Sequence, residues 1–310
     1  MAVTAAMVKE LREKTGAGMM DCKKALTATD GDFDKSIEFL REKGLASASK
    51  KADRIAAEGM VGTIVVNDSK KGVIVEINSE TDFVAKNEIF QGFVADVANQ
   101  VVNTTATDID TFLTEAWAAD TSKTVNDVLI EKIALIGEKL SIRRFDTVEN
   151  ATGYVATYIH AGGKIGVLVN IETDVVNEAI EEMGKNVAMQ VAAIRPTYTT
   201  RAEVSQEFLA HEKEILTAQA KNEKPDANDK IIEGMVQGRI NKELKEICLV
   251  DQVYVKAEDG KQTVAKYVEE VAKANGAKII INGFIRFETG EGIEKKEEDF
   301  AAEVAKQMQS

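Results

Sequence analysis

The segment Gly72-Val73-Ile74-Val75-Glu76-Ile77-Asn78-Ser79-Glu80-Thr81-Asp82 decides the fold, because the chain repeats its outline as Gly166-Val167-Leu168-Val169-Asn170-Ile171-Glu172-Thr173-Asp174. Each copy opens on glycine and a β-branched run, the composition of a buried strand. Each closes on the tripeptide Glu-Thr-Asp, which leads into an amphipathic helix. Phe90, Phe93, Val97 and Val101 share one face of the first helix, and Ile180, Met183, Val187 and Val191 share one face of the second. The helix ends also match, Ala98-Asn99-Gln100-Val101 against Ala188-Met189-Gln190-Val191. Further on, Ile142-Arg143-Arg144-Phe145 and Ile285-Arg286-Phe287 read as similar closing strands. The spacing drifts by a few residues, which marks a worn duplication rather than a solenoid array.

Each copy begins with a hairpin. Met60 to Val66 returns through Asn67-Asp68-Ser69-Lys70 into Gly72 to Asn78, and Tyr154 to Ile159 returns through Ala161-Gly162-Gly163 into Lys164 to Ile171. A second helix completes each unit, with Val125, Val128, Ile133 and Ile136 in the first and Val264, Tyr267, Val268 and Val271 in the second. The fold class is therefore α+β, two duplicated core subdomains with a small sheet and helices on one face. The second subdomain holds an insertion at 204–244. Two helical stretches flank Lys224-Pro225-Asp226, with Phe208, Leu209, Ile215 and Leu216 facing Ile232, Met235, Val236 and Ile240. That thin seam predicts an antiparallel coiled-coil hairpin projecting into solvent.

Ahead of the core lies a three-helix head. Thr4 caps the first helix, with Val8 and Leu11 inward, and Gly16 suits the left-handed position after it. Cys22, Ala25 and Leu26 point inward from the second. The third carries Phe33, Ile37 and Leu40 and stops at Gly44, leaving Ala46 to Arg54 as a small basic connector. The expected divisions are 1–55 for head and connector, 56–150 and 151–288 for the two core subdomains, and 289–310 for a C-terminal module with a last helix at Asp299 to Met308. A head of this size is near the lower limit for independent folding and reads as a docking module.

The 310 residues carry a net charge of -13, which repels phosphate backbones and argues against direct nucleic-acid binding. No apolar run approaches the roughly 20 residues that span a bilayer. Met1 to Gly16 has neither the apolar core of a secretory signal nor the acid-free composition of a transit peptide. Cys22 and Cys248 are the only cysteines and His160 and His211 the only histidines, none at metal-ligand spacing. Two distant cysteines read as reduced thiols, hence a cytoplasmic location. No nucleophile elbow, P-loop or dinucleotide fingerprint is present, so no cofactor and no catalytic residue are expected.

Three stretches stand out from the scaffold. Ala161-Gly162-Gly163 joins two strands and reads as a hairpin turn, with His160 beside it in a structural or surface role. Met19-Met20 reads as core filler or as an adaptable contact surface. Thr81-Asp82-Phe83-Val84 has two readings. Thr81 or Asp82 caps a helix and Phe83 staples it, or the aromatic is a probe into another protein. The second copy keeps Thr173-Asp174 but has Val175 after them, so capping is expected in both copies and the phenylalanine in one.

Three runs carry a resemblance to a known family. Thr15-Gly16-Ala17-Gly18-Met19-Met20-Asp21-Cys22-Lys23-Lys24-Ala25-Leu26 resembles the amino-terminal signature of elongation factor Ts. Thr81-Asp82-Phe83-Val84-Ala85-Lys86 resembles its second signature. Gly283-Phe284-Ile285-Arg286-Phe287 with Gly290-Glu291-Gly292-Ile293-Glu294 resembles its closing strand and loop. The likeness spans the chain, is less specific in the inserted hairpin and is loose over Thr104 to Thr124. It implies a ubiquitin-associated-like head and a guanine nucleotide exchange factor, not an enzyme, that binds elongation factor Tu with GDP or without nucleotide. It further implies that Thr81, Asp82, Phe83 and Val84 displace the partner's magnesium, and that Arg12, Met19, Met20 and His160 touch the partner. An adaptor that binds a ubiquitin-like fold through the helical head is the alternative. The faces of the core subdomains leave room for a homodimer.

Overall fold

The computed structural model of the chain describes residues 3–15 and 17–294. Gly16 and the helix expected at Asp299 to Met308 lie outside these residues. The head is α1 (Ala5–Thr15), α2 (Met19–Ala28) and α3 (Phe33–Lys51). Thr4 Oγ1 accepts from Met7 N at 3.3 Å, and Asp32 caps α3 by accepting from Lys35 N at 3.1 Å. Val8, Leu11, Cys22, Ala25 and Leu26 form its core.

Two expectations about α3 are corrected. The helix does not stop at Gly44 but runs on to Lys51, so most of the supposed connector is helical. Gly44 is buried where α3 crosses the helix Val125–Ile136, and a Cβ there would meet Ile130 Cγ2 at 3.4 Å and Ala134 Cβ at 3.8 Å. The glycine serves a close crossing rather than a stop. Arg41 adds an ion pair to Asp127 at 2.8 Å across the same contact. Ile37 is exposed, and the buried residue beside it is Ser36, whose hydroxyl is 2.6 Å from that of Thr29.

The first unit runs β1 (Glu58–Val66), β2 (Lys71–Ser79), α4 (Asp82–Ala85), α5 (Glu88–Val102), α6 (Ile109–Thr114), β3 (Ala116–Trp117), β4 (Asp120–Thr124), α7 (Val125–Ile136) and β5 (Leu140–Glu149). The second runs β6 (Gly153–His160), β7 (Ile165–Thr173), α8 (Glu178–Ile194), α9 (Gln206–Glu223), α10 (Asp229–Ile247), α11 (Val264–Ala274) and β8 (Ile279–Glu288). Both main sheets are antiparallel and three-stranded, ordered β1-β2-β5 and β6-β7-β8. The central strands bulge at matching places, between Glu76 and Ile77 and between Asn170 and Ile171.

The ladders set the true register of the duplication. Val75 pairs with Phe145, and its counterpart Val169 pairs with Phe284. Phe145 therefore corresponds to Phe284, not to Phe287, and the Ile-Arg-Phe likeness read from sequence is out of step. Buried glutamines confirm the match between units. Gln100 donates to Ala116 O at 3.1 Å and accepts from Ala118 N at 2.8 Å; Gln190 donates to Val253 O at 3.1 Å and accepts from Val255 N at 2.8 Å. Val125 N and Val264 N likewise bond Glu115 O and Gln252 O, each at 3.0 Å. The second half of the loosely matching Thr104 to Thr124 stretch is thus a duplicated element too.

Helices cover one face of each sheet, and the bare faces cover each other. Val61, Ile74, Val155, Leu168 and Phe287 fill the space between the sheets. A Cβ on Gly72 would lie 2.6 Å from Val155 Cγ1, and one on Gly166 would lie 2.4 Å from Val61 Cγ1. The glycine that opens each copy therefore lets the sheets approach. These two faces are buried against each other. A buried carboxylate also ties the two units together. Glu76 is fully buried, takes Arg143 at 3.0 Å and Arg144 at 2.6 Å, and accepts from Gly290 N at 2.8 Å. Glu291 in turn pairs with Arg144 at 3.2 Å and with Arg195.

The insertion forms an antiparallel hairpin of α9 and α10 capped by Ser205 and Asn228. Its seam holds Phe208, Leu209, Leu216, Ile232, Met235, Val236 and Ile240 as expected. Ile215 is exposed instead, because Leu209, Leu216 and Ala220 already fill the helical stripe and its neighbour in sequence points aside.

Gly44→Ala fits the space at the crossing and should raise stability by up to about 1 kcal/mol through helix propensity. Gly44→Leu should lower it by forcing α3 off α7. Urea unfolding of the two variants checks both signs.

Candidate functional site

The surface feature that the core does not explain is the corner between β2 and α5. The chain leaves β2 at Ser79, passes Glu80 and Thr81, and makes the single turn α4 before α5 begins. Val84 is buried and roots α4 in the first core. Phe83 points the other way and is 77% exposed, the most exposed large apolar side chain among the described residues. The Lys86 ammonium lies over its ring, 5.6 Å from the centroid. Asp82 accepts from Lys86 at 2.8 Å. That hydrogen bond, with the Lys86 and Lys164 charges, holds the Asp82 carboxyl below the usual carboxylate range.

The capping reading is corrected in both copies. Neither Thr81 nor Asp82 caps α5; Asn87 does, accepting from Ile89 N at 2.8 Å. In the second unit Asn177 caps α8, accepting from Ile180 N at 3.0 Å. Thr81 Oγ1 is turned to Glu138 Oε1 at 2.8 Å, and Thr81 N donates to Glu138 Oε2 at 3.0 Å. Phe83 is no staple, since 77% of it is exposed.

The ladder register shows where the corner comes from. Ser79 Oγ donates to Thr81 O, and Thr173 Oγ1 donates to Val175 O, each at 2.9 Å. Lys139 N donates to Glu80 at 2.5 Å, and Lys278 N donates to Asp174 at 2.8 Å. Ser79-Glu80-Thr81 thus matches Thr173-Asp174-Val175, so the Glu-Thr-Asp echo in the sequence is out of register. From Thr81 to the cap Asn87 the first unit has the extra residues Asp82-Phe83-Val84-Ala85, which are the whole of α4 (4 residues). In the second unit only Val176 separates Val175 from the cap. The corner is an insertion into one copy.

His160 is exposed at the end of β6, its Nδ1 3.0 Å from the Tyr158 hydroxyl. The turn after it is left-handed at Ala161, Gly162 and Gly163, and a Cβ on Gly163 would lie 2.8 Å from Met60. Gly163 O accepts from Val61 N at 2.7 Å, and Lys164 pairs with Glu58. Glu58 in turn pairs in the strand ladder with Ser79 at the root of the corner, so the His160 turn and α4 share one end of the core. Arg12 is exposed on α1, and Met19 and Met20 are 56% and 63% exposed on the first turn of α2. The methionines are surface, not core filler. Among the described residues no hydrogen bond or ion pair joins these three to the corner. Sequence reading missed Glu138 and Asn87. Aligning the copies by their ladders finds both, because Glu138 falls where the second unit has Ala277.

Among the described residues no cluster of His, Cys, Asp or Glu is placed to hold a metal ion, and no helix is long and apolar enough to cross a membrane. A family model described as Elongation factor TS matches residues 80–291. The chain is 54% identical over 308 residues to elongation factor Ts of Clostridium tetani (strain Massachusetts / E88), covering 99% of this chain and 100% of that one. It is 54% identical over 305 residues to that of Clostridium perfringens (strain ATCC 13124), with 98% of each chain covered. It is 53% identical over 306 residues to that of Clostridioides difficile (strain 630), with 99% of each covered. A duplicated α+β core with such full-length relatives is that of a translation elongation factor. The chain belongs to the elongation factor Ts family.

Phe83→Ala should leave stability within about 0.5 kcal/mol of the parent, as an exposed side chain does. Val84→Ala should cost about 1.5 kcal/mol for two buried methyl-sized groups. Thermal unfolding of the pair separates the probe from its root.

Proposed function

We propose that this chain is a guanine nucleotide exchange factor that drives GDP off elongation factor Tu by pressing the α4 corner against the partner's magnesium site. The supporting observation is Phe83, a large apolar side chain held 77% exposed on a turn that is itself anchored by Val84. Burial of that ring in a partner pocket gives the corner its binding energy. Asp82 brings a charge to the same place, with Thr81 and Val84 shaping the turn. Magnesium demands near-ideal octahedral geometry, so a small displacement of its supports releases it. No bond is made or broken, and the chain needs no catalytic residue of its own.

The remaining surfaces are given docking roles. The three-helix head, taken as a ubiquitin-associated-like module, presents Arg12, Met19 and Met20 to the nucleotide-binding domain of the partner. His160, on the turn beside Lys164, contacts the partner from the same end of the core as α4. The energetics are those of linkage. If the factor weakens GDP binding by some ratio, GDP weakens factor binding by the same ratio. A thousandfold weakening corresponds to about 4 kcal/mol of coupling. The working site is cytoplasmic, where translation supplies the partner.

Asp82→Ala with Phe83→Ala should slow the release of fluorescent GDP from elongation factor Tu with melting almost unchanged. Loss of a buried interface aromatic costs about 2 kcal/mol or more, roughly thirtyfold in complex affinity. The advantage of the parent over the variant should shrink when magnesium is chelated. Release at the parent rate from the double variant, at every magnesium level, would overturn the wedge.

A further inference from the structure

We propose that Glu138, on the loop between α7 and β5, is the positioning residue that aims Phe83. This inference rests on the wedge reading of Phe83. Two observations carry it, one from the geometry of the first unit and one from the comparison of the copies. The Glu138 carboxylate grips Thr81 twice, through the backbone N–H at 3.0 Å and the hydroxyl at 2.8 Å. Thr81 is the residue from which α4 departs, so fixing its amide and its hydroxyl fixes the direction of the turn. In the second unit the same two positions are Val175 and Ala277, both half-buried and packed on that unit's core. An apolar pair fills space without setting a direction; a two-point carboxylate grip sets one. The grip stands in the copy that carries the inserted turn and is replaced by an apolar pair in the copy that lacks it.

The main-chain support common to both copies does not explain the difference. Lys139 N to Glu80 in the first unit and Lys278 N to Asp174 in the second hold the strand end in each. What the first unit adds is Glu138 to Thr81, together with a brace behind it. Lys139 Nζ donates to Ala52 O at 2.6 Å and Arg54 O at 2.8 Å, and Arg54 pairs with Glu80 at 3.2 Å. The segment that ends α3 is thereby tied to the loop that holds α4. Glu138 touches neither nucleotide nor magnesium in this account; it acts through Thr81 on the angle at which Phe83 leaves the surface.

The test transplants the second copy's pair into the first. Thr81→Val with Glu138→Ala should melt close to the parent, since the same pair is accommodated in the other unit, and should slow GDP release from elongation factor Tu by about fivefold or more at saturating factor. Glu138→Gln should restore most of the rate lost in Glu138→Ala, because the amide can accept from Thr81 N and donate to Thr81 Oγ1. In a Phe83→Ala background, Glu138→Ala should add no further loss. A rate in the transplant equal to the parent overturns this inference alone, as does a loss from Glu138→Ala that multiplies fully with that of Phe83→Ala. A parent-like rate in Phe83→Ala itself overturns the wedge reading and this inference with it.

Discussion

The architecture depends on one buried carboxylate. Glu76 sits at the bulge of β2, in the seam between two sheets, with no exposure to solvent. A lone charge there would cost several kcal/mol. It is tolerated because Arg143, Arg144 and the amide of Gly290 surround it. The amide is available because Gly290 has φ +73 and no Cβ, which would otherwise lie 2.0 Å from Ala57 O. The loop after the last strand of the second unit is thus bound to the central strand of the first. Sliding one sheet over the other would take the Gly290 amide from Glu76 and Glu291 from Arg144, while Arg143 and Arg144, on the neighbouring strand, would move with the carboxylate.

That fixed seam lets the two copies diverge at their ends without losing their common frame. Both keep the bulge, the glutamine clamp and the asparagine cap. Only the first carries the inserted turn, and only there does a carboxylate hold the residue before it. The helical side of each sheet does the ordinary work of a core, with Phe90 and Phe93 in one unit and Ile180 and Met183 in the other fully buried.

Much of this was legible in the sequence, and the failures have physical reasons. Strand and helix faces were legible because alternation and helical spacing are local signals. The hairpin turns were legible because Asn67, Asp68, Gly162 and Gly163 are residue types that tolerate positive φ, and Ser69 and Ala161 adopt it beside them. The register of the repeat was not, because hydrogen bonds and bulges set it while residue likeness suggested another alignment. An unnoticed insertion of four residues made Glu-Thr-Asp line up twice by accident. Gly44 misled because a glycine that ends a helix and one that admits a neighbouring helix look alike until the neighbour is known. Phe83 was singled out correctly as peculiar to one copy. Glu138 was not found, since its partner is 57 residues away in sequence.

The length of α3 has a consequence for how the chain meets anything. Its 19 residues form one rod of about 28 Å that starts in the head and ends beside the core. A flexible tether would let the two ends search independently and spend ordering entropy when both engage. A rod fastened at Gly44, Arg41 and Lys139 leaves little such freedom to lose. The span between the head and the corner is therefore set by a continuous helix and its fastenings rather than by a tether.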